Sequence, residues 1–145
     1  MILSYFDTSV LLAILLDETK QEEAYEYWRN SIKVSSILLK VETIISLRRT
    51  CENNKHKLDD DWLRKKTKMM DEFLNEVNYM VLNNKVEREI YVRKELAQCR
   101  SLDAIHIATA IRFREINNNE KTNLYTFDSK MHDLAVQYKF GTNKL

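Results

Sequence analysis

Four acidic residues sit where ordinary packing does not favour them: Asp7, Glu42, Asp103 and Asp128. In VETIISLRR, Glu42 has Leu38 and Leu39 before it and Ile45 after it at helical neighbour distances, which places it on an apolar side. In SLDAIHIATA, the helical neighbours of Asp103 are His106, Ile107 and Ala110. A carboxylate facing a core is costly unless it is paired or bound to a metal ion. Asp7 and Asp128 follow the apolar segments ILSYF and LYTF, and each precedes a helix. Taken singly, either is explained equally well as a helix cap. Together they suggest a site, because all strands of a parallel α/β sheet end on one edge, where ligands bind.

Carboxylates that converge without a basic neighbour repel one another and need a cation. All-oxygen ligation suits Mg²⁺ or Mn²⁺ rather than zinc. An ion held this way keeps waters, activates one for attack on a phosphodiester, and neutralises charge on the scissile phosphate and leaving oxygen. The chemistry expected is metal-dependent phosphodiester hydrolysis. Thr8, Ser9 and Thr126 flank the proposed ligands and could orient them through hydroxyl hydrogen bonds. Helix capping or strand packing explains these three equally well. His106, one turn after Asp103, reads as a satisfied buried histidine, with a hydrogen bond to Asp103 or to the substrate as the alternative. A phosphatase with Asp7 as nucleophile would want a second Asp two residues on, where Ser9 stands.

The remaining acids have structural explanations. Asp59, Asp60 and Asp61 precede a helix, where negative charge is favourable. Asp71 and Glu72 lie on a solvated helix face. With one glycine and no proline, the chain lacks the glycine-rich loops that cradle phosphate or dinucleotides. Its net charge of +1 gives no global footprint for nucleic acid, so any such binding must rest on local clusters. Cys51 and Cys99 match no metal or redox spacing and read as free thiols. The apolar run Val10 to Leu16 is too short for a bilayer, and no Lys or Arg precedes Lys20 to make a signal peptide. A cytoplasmic location follows.

The elements that must position these acids alternate. Strands are expected at Ile2–Phe6, Ile32–Ser36, Tyr79–Leu82 and Leu124–Phe127, with a short fifth at Lys139–Asn143. Helices are expected at Thr8–Leu16, Gln21–Asn30, Leu38–Asn53, Asp60–Glu76, Lys85–Gln98, Ser101–Ile116 (capped by Ser101) and Ser129–Tyr138. Trp62, Met69, Phe73 and Val77 form one stripe, read as core or dimer interface. The 145 residues are read as a single α/β domain with a central parallel sheet of four to five strands between helices.

Over nearly its whole length the chain resembles the PIN domain family, and within it the VapC-type toxin ribonucleases. FDTSVLLA looks like the family's opening strand and "DTS" motif, and VETIISLRR like its "E…LRR" helix. RSLDAIHIATA is the most specific match, and LYTFDSKM resembles the "T-x-D" strand end. The resemblance implies a PIN-like α/β/α sandwich with sheet order 3-2-1-4-5 and metal-binding, catalytic acids at Asp7, Glu42, Asp103 and Asp128. It further implies a Mg²⁺- or Mn²⁺-dependent endoribonuclease, a homodimer, and a cognate VapB-like antitoxin. RNA would be gripped by Lys40, Arg48, Arg49, Arg100 and Lys130. The alternative is a PIN-like module that binds RNA or protein without cleaving.

Overall fold

In the computed structural model, which describes residues 1–145, strand β1 (Ile2–Phe6) lies inside a four-stranded parallel sheet. Successive side chains of a strand point to opposite faces, and the last two residues of β1 found two separate cores. Tyr5 packs with Val34, Ile107, Ile111 and Leu124 on one face. Phe6 packs with Leu11, Trp28, Leu39 and Leu47 on the other, its ring 4.8 Å from that of Trp28. The result is an α/β/α sandwich.

The chain runs from β1 through α1 (Thr8–Leu15) and α2 (Gln21–Arg29) to β2 (Ser31–Ser36). Then come α3 (Ile37–Asn53), α4 (Asp60–Leu74) and the short edge strand β3 (Asn78–Met80). It closes with α5 (Asn84–Val92), a 3-10 turn at Lys94–Gln98, α6 (Ser101–Ile116), β4 (Thr122–Tyr125) and α7 (Ser129–Gln137). The sheet order is β3-β2-β1-β4. Thus β1 has Val34 of β2 beside Tyr5 on one flank and Leu124 of β4 on the other. No helix is long and apolar enough to cross a membrane.

Five expectations need correcting. The helix expected over Lys85–Gln98 stops at Val92, where Arg93 turns extended. Leu96 is carried instead by the 3-10 turn that follows, and it is buried with Val86 in the Tyr5 core. Strand β4 begins two residues earlier than expected, with Thr122 already paired to Leu3, and ends two earlier because the backbone of Thr126 bonds to the side chain of Asn143 instead of to the sheet. The fifth strand is reduced to an isolated parallel bridge between Asn123 and Gly141. Ser101 does not cap α6; Arg100 occupies the cap position without a side-chain cap bond. Of the stripe expected on α4, Trp62, Phe73 and Val77 pack against the Phe6 core beside Met70 and Leu74, but Met69 is turned outward.

Near-absence of glycine is accommodated by residues that tolerate left-handed backbone. Asn118 and Asn119 both have φ of 58°, in the loop between α6 and β4. One buried group is left over: Thr43 Oγ1 on α3 has no partner. Thr43→Val keeps the shape and removes an unsatisfied hydroxyl, so it should stabilise the protein by about 1–2 kcal/mol. Chemical denaturation showing no gain would mean the hydroxyl is in fact satisfied.

Candidate active site

Asp7 stands at the junction of β1 and α1, where the chain leaves the sheet. It is the N-cap of α1: its Oδ1 accepts from Ser9 N at 3.0 Å. Capping is only part of its surroundings. Its Oδ2 accepts from Ser9 Oγ at 2.8 Å and from the Thr126 hydroxyl, which arrives from beyond the end of β4. Asp7 is buried, and three donors hold its charge there. Ser9 ties the two strand ends together again, accepting from Phe127 N at 2.9 Å.

Glu42 lies on α3, half-buried at the boundary of the apolar side, with Leu39 inside and Ile45 outside. Thr8 Oγ1 donates to its Oε1 at 2.8 Å. The same oxygen lies 2.7 Å from His106 Nε2. On the other side of the imidazole, Nδ1 is 2.8 Å from the Tyr5 hydroxyl. His106 is therefore a fully buried, satisfied histidine whose partners are Tyr5 and Glu42, not Asp103. Burial pushes its pKa down, but Tyr5 and the carboxylates of Glu42 and Asp7 outweigh burial and hold it above the ordinary histidine range. For Glu42 burial works upward, yet His106 and Thr8 prevail and the carboxyl stays below its usual value.

Asp103, in the first turn of α6, is buried and pairs with the Arg100 guanidinium at 3.2 Å. Its carboxyl is held above the ordinary range, first by burial, then by the negative charges of Asp7 and Asp128, against the pull of Arg100. Asp128 is the N-cap of α7 and accepts from Met131 N at 2.9 Å, while its own N–H donates to Thr126 Oγ1 at 3.0 Å. Asp103 and Asp128 line one open cavity with Cys99, Arg100 and Lys130. Burial and the same two carboxylates push the Cys99 thiol up to about 11. Cys99 should thus react with iodoacetamide far more slowly at neutral pH than an ordinary exposed thiol, and fast alkylation would contradict that field.

All three hydroxyls singled out in the sequence therefore bond directly to candidate acids. The basic residues divide. Arg100 and Lys130 stand at the rim of the acidic cavity. Arg49 is on the Glu42 side of α3, two turns and about 10 Å further along. Arg48 instead opens onto a separate groove with Glu52, Lys55, Asp59 and Asp60. Lys40 is exposed on α3. Two features were not legible beforehand. The acids do have basic partners, Arg100 and His106, where none was expected. The signal for Arg100 was its position three residues before Asp103, a helical neighbour distance.

The donor types fit a hard cation: carboxylate oxygens from four elements or their junctions, oriented by hydroxyls. Their arrangement is not that of a closed cage, for no three His, Cys, Asp or Glu side chains are gathered closely enough to hold an ion. Like charges separate, and each acid turns to a protein donor: Asp7 to Ser9 and Thr126, Glu42 to Thr8 and His106, Asp103 to Arg100, Asp128 to its own helix. Compared with the curated proteins, the chain has no match. The family model of the PIN domain matches residues 4–137, which spans every strand end and every acid described above. The chain belongs to the PIN domain family, whose members are generally nucleases.

Proposed function

We propose that this chain is a Mg²⁺- or Mn²⁺-dependent endoribonuclease, the VapC-type toxin of a toxin–antitoxin pair. In this reading its 145 residues act as a single PIN-like domain in the cytoplasm, as a homodimer silenced by a VapB-like antitoxin. The observation that carries the reading is electrostatic. Asp103 on α6 is held above its ordinary range first by burial, and the charges of Asp7 from the end of β1 and Asp128 from beyond β4 push the same way. Acids that raise one another's cost of ionisation in a partly desolvated cleft are typical of functional sites. The motif RSLDAIHIATA supports the toxin subclass.

Asp7, Glu42, Asp103 and Asp128 would hold the ion. Such an ion, when bound, supplies activation of a water and neutralisation of charge on the phosphate. The chain's own residues do the rest. Ser9 and Thr126 fix the Asp7 carboxylate, while Thr8 and His106 fix that of Glu42. Arg100 and Lys130, which line the cavity with Asp103 and Asp128, would receive the phosphates flanking the scissile bond. Purified free of antitoxin, the protein should cleave structured RNA with Mg²⁺ or Mn²⁺ and stop in EDTA. The open spacing of the acids favours a second reading, a PIN-like module that binds without cleaving. Crosslinking to RNA without turnover, across several RNAs and both metals, would select it.

Metal should also stabilise the fold, since the ion binds the assembled acids and not the unfolded chain. At a free ion concentration 100 times the dissociation constant the gain is about 2.7 kcal/mol. Differential scanning calorimetry should show a melting temperature several degrees higher with Mn²⁺ than with EDTA. Metal-independent melting would count against a shared site.

A further inference from the structure

The tail after α7 is tied to the acidic edge by an unusual clamp. Lys139 takes a left-handed φ of 65° and turns the chain back beside β4. There Leu124 N donates to Gly141 O at 2.8 Å, and Gly141 N donates to Thr122 O at 3.2 Å. Gly141 is the chain's one glycine, and close approach explains it: a Cβ there would lie 2.0 Å from Asn123 Oδ1. That oxygen belongs to a buried side chain whose Nδ2 is itself bonded to the Tyr125 hydroxyl.

Two residues later a side chain takes over the role of a strand. The Asn143 amide meets the Thr126 backbone from both sides: Thr126 N donates to its Oδ1 at 3.0 Å, and its Nδ2 donates to Thr126 O at 2.8 Å. Asn143 is only 3% exposed, and its carbonyl is anchored by His132 Nε2 at 2.6 Å. Thr126 in turn touches two of the four acids, donating its hydroxyl to Asp7 and accepting from Asp128 N at 3.0 Å. Only a planar amide offers a donor and an acceptor at that spacing. Aspartate would set a second acceptor against the Thr126 carbonyl, and alanine would leave both backbone groups unpaired in a buried place.

We propose that Asn143 is a positioning residue of the cleavage site, setting the Thr126 hydroxyl that aims Asp7 and Asp128 toward a shared cation. It lies beyond residue 137, where the family match ends. The proposal rests on the metal-dependent reading above.

The test compares wild type with Asn143→Asp and with Gly141→Ala, which displaces the tail from two residues away and serves if the first variant does not fold. Mn²⁺ affinity is read from the electron paramagnetic resonance signal of free Mn²⁺, well below each variant's melting temperature. The expected result is a dissociation constant raised about 10–100-fold, the usual effect of losing a group that orients a ligand. For RNA cleavage, kcat should fall while KM for RNA holds. Unchanged Mn²⁺ affinity in a folded variant, or activity falling only with the folded fraction, would overturn the positioning role and leave the metal-dependent reading intact. A wild type that binds no Mn²⁺ would overturn both.

Discussion

Asp103→Asn is expected to lower RNA cleavage by more than about 100-fold, since even groups that merely orient a metal ligand contribute 10–100-fold. The same substitution should make the metal-free protein more stable, and the sign follows from the environment of the acid. Burial and the charges of Asp7 and Asp128 hold the Asp103 carboxyl above its unfolded value of 3.8 in the folded state. The folded protein therefore binds that proton more tightly than the unfolded chain. Stability from this group is fully present below 3.8 and is lost as pH rises through the raised value, so at neutral pH the ionised carboxylate is a net cost. Asparagine removes that cost and gives up only a pair with a largely exposed arginine, which contributes little. Calorimetry should find Asp103→Asn melting higher than wild type at neutral pH, with the difference vanishing below the ordinary carboxylate range. A loss of stability at neutral pH, or full cleavage by the variant, would show that Asp103 is a structural acid.

Replacing His106 with alanine should act in the opposite direction on stability. The imidazole is completely buried between the Tyr5 hydroxyl and Glu42 Oε1, so its removal orphans the hydroxyl, leaves Glu42 with Thr8 alone, and opens a cavity beside α6. Losing a buried partner of a charged group costs about 1.5–3 kcal/mol before the cavity is counted. The Glu42 carboxylate would also lose the partner that keeps its pKa low, and should rise toward or above the ordinary range because burial alone pushes it up. Cleavage should then fall and its acid limb move to higher pH. A His106→Ala variant as stable as wild type, with an unmoved pH profile, would mean that the imidazole neither supports the core nor holds Glu42.

Much of this geometry was legible in the residues themselves. Strand β1 was bounded correctly because ILSYF is a short apolar run stopped by a capping residue, a local signal. Asp7 and Asp128 drew attention as acids at the ends of apolar segments, and both proved to be helix caps on the same sheet edge. The two readings are compatible, because a cap occupies some of a carboxylate's lone pairs and leaves others. What the residues did not reveal depends on contacts remote along the chain. The Glu42–His106 pair joins positions on α3 and α6, and no spacing rule connects them. The early end of β4 and the near-loss of a fifth strand share one cause, an asparagine side chain substituting for backbone pairing. The break at Arg93 has no counterpart in the pattern of Lys85–Gln98, because Val86 and Leu96 would fall on one broad face of a continuous helix.

The central claim is that acids from separate elements share one divalent cation. The most direct test is Mn²⁺ titration of the purified protein, read by loss of the paramagnetic resonance signal of the aqueous ion, for wild type, Asp7→Asn and Asp103→Asn. Wild type should withdraw Mn²⁺ from solution saturably, and each variant should do so at least about 10-fold more weakly. Equal uptake by all three folded proteins, or none by wild type, would contradict it.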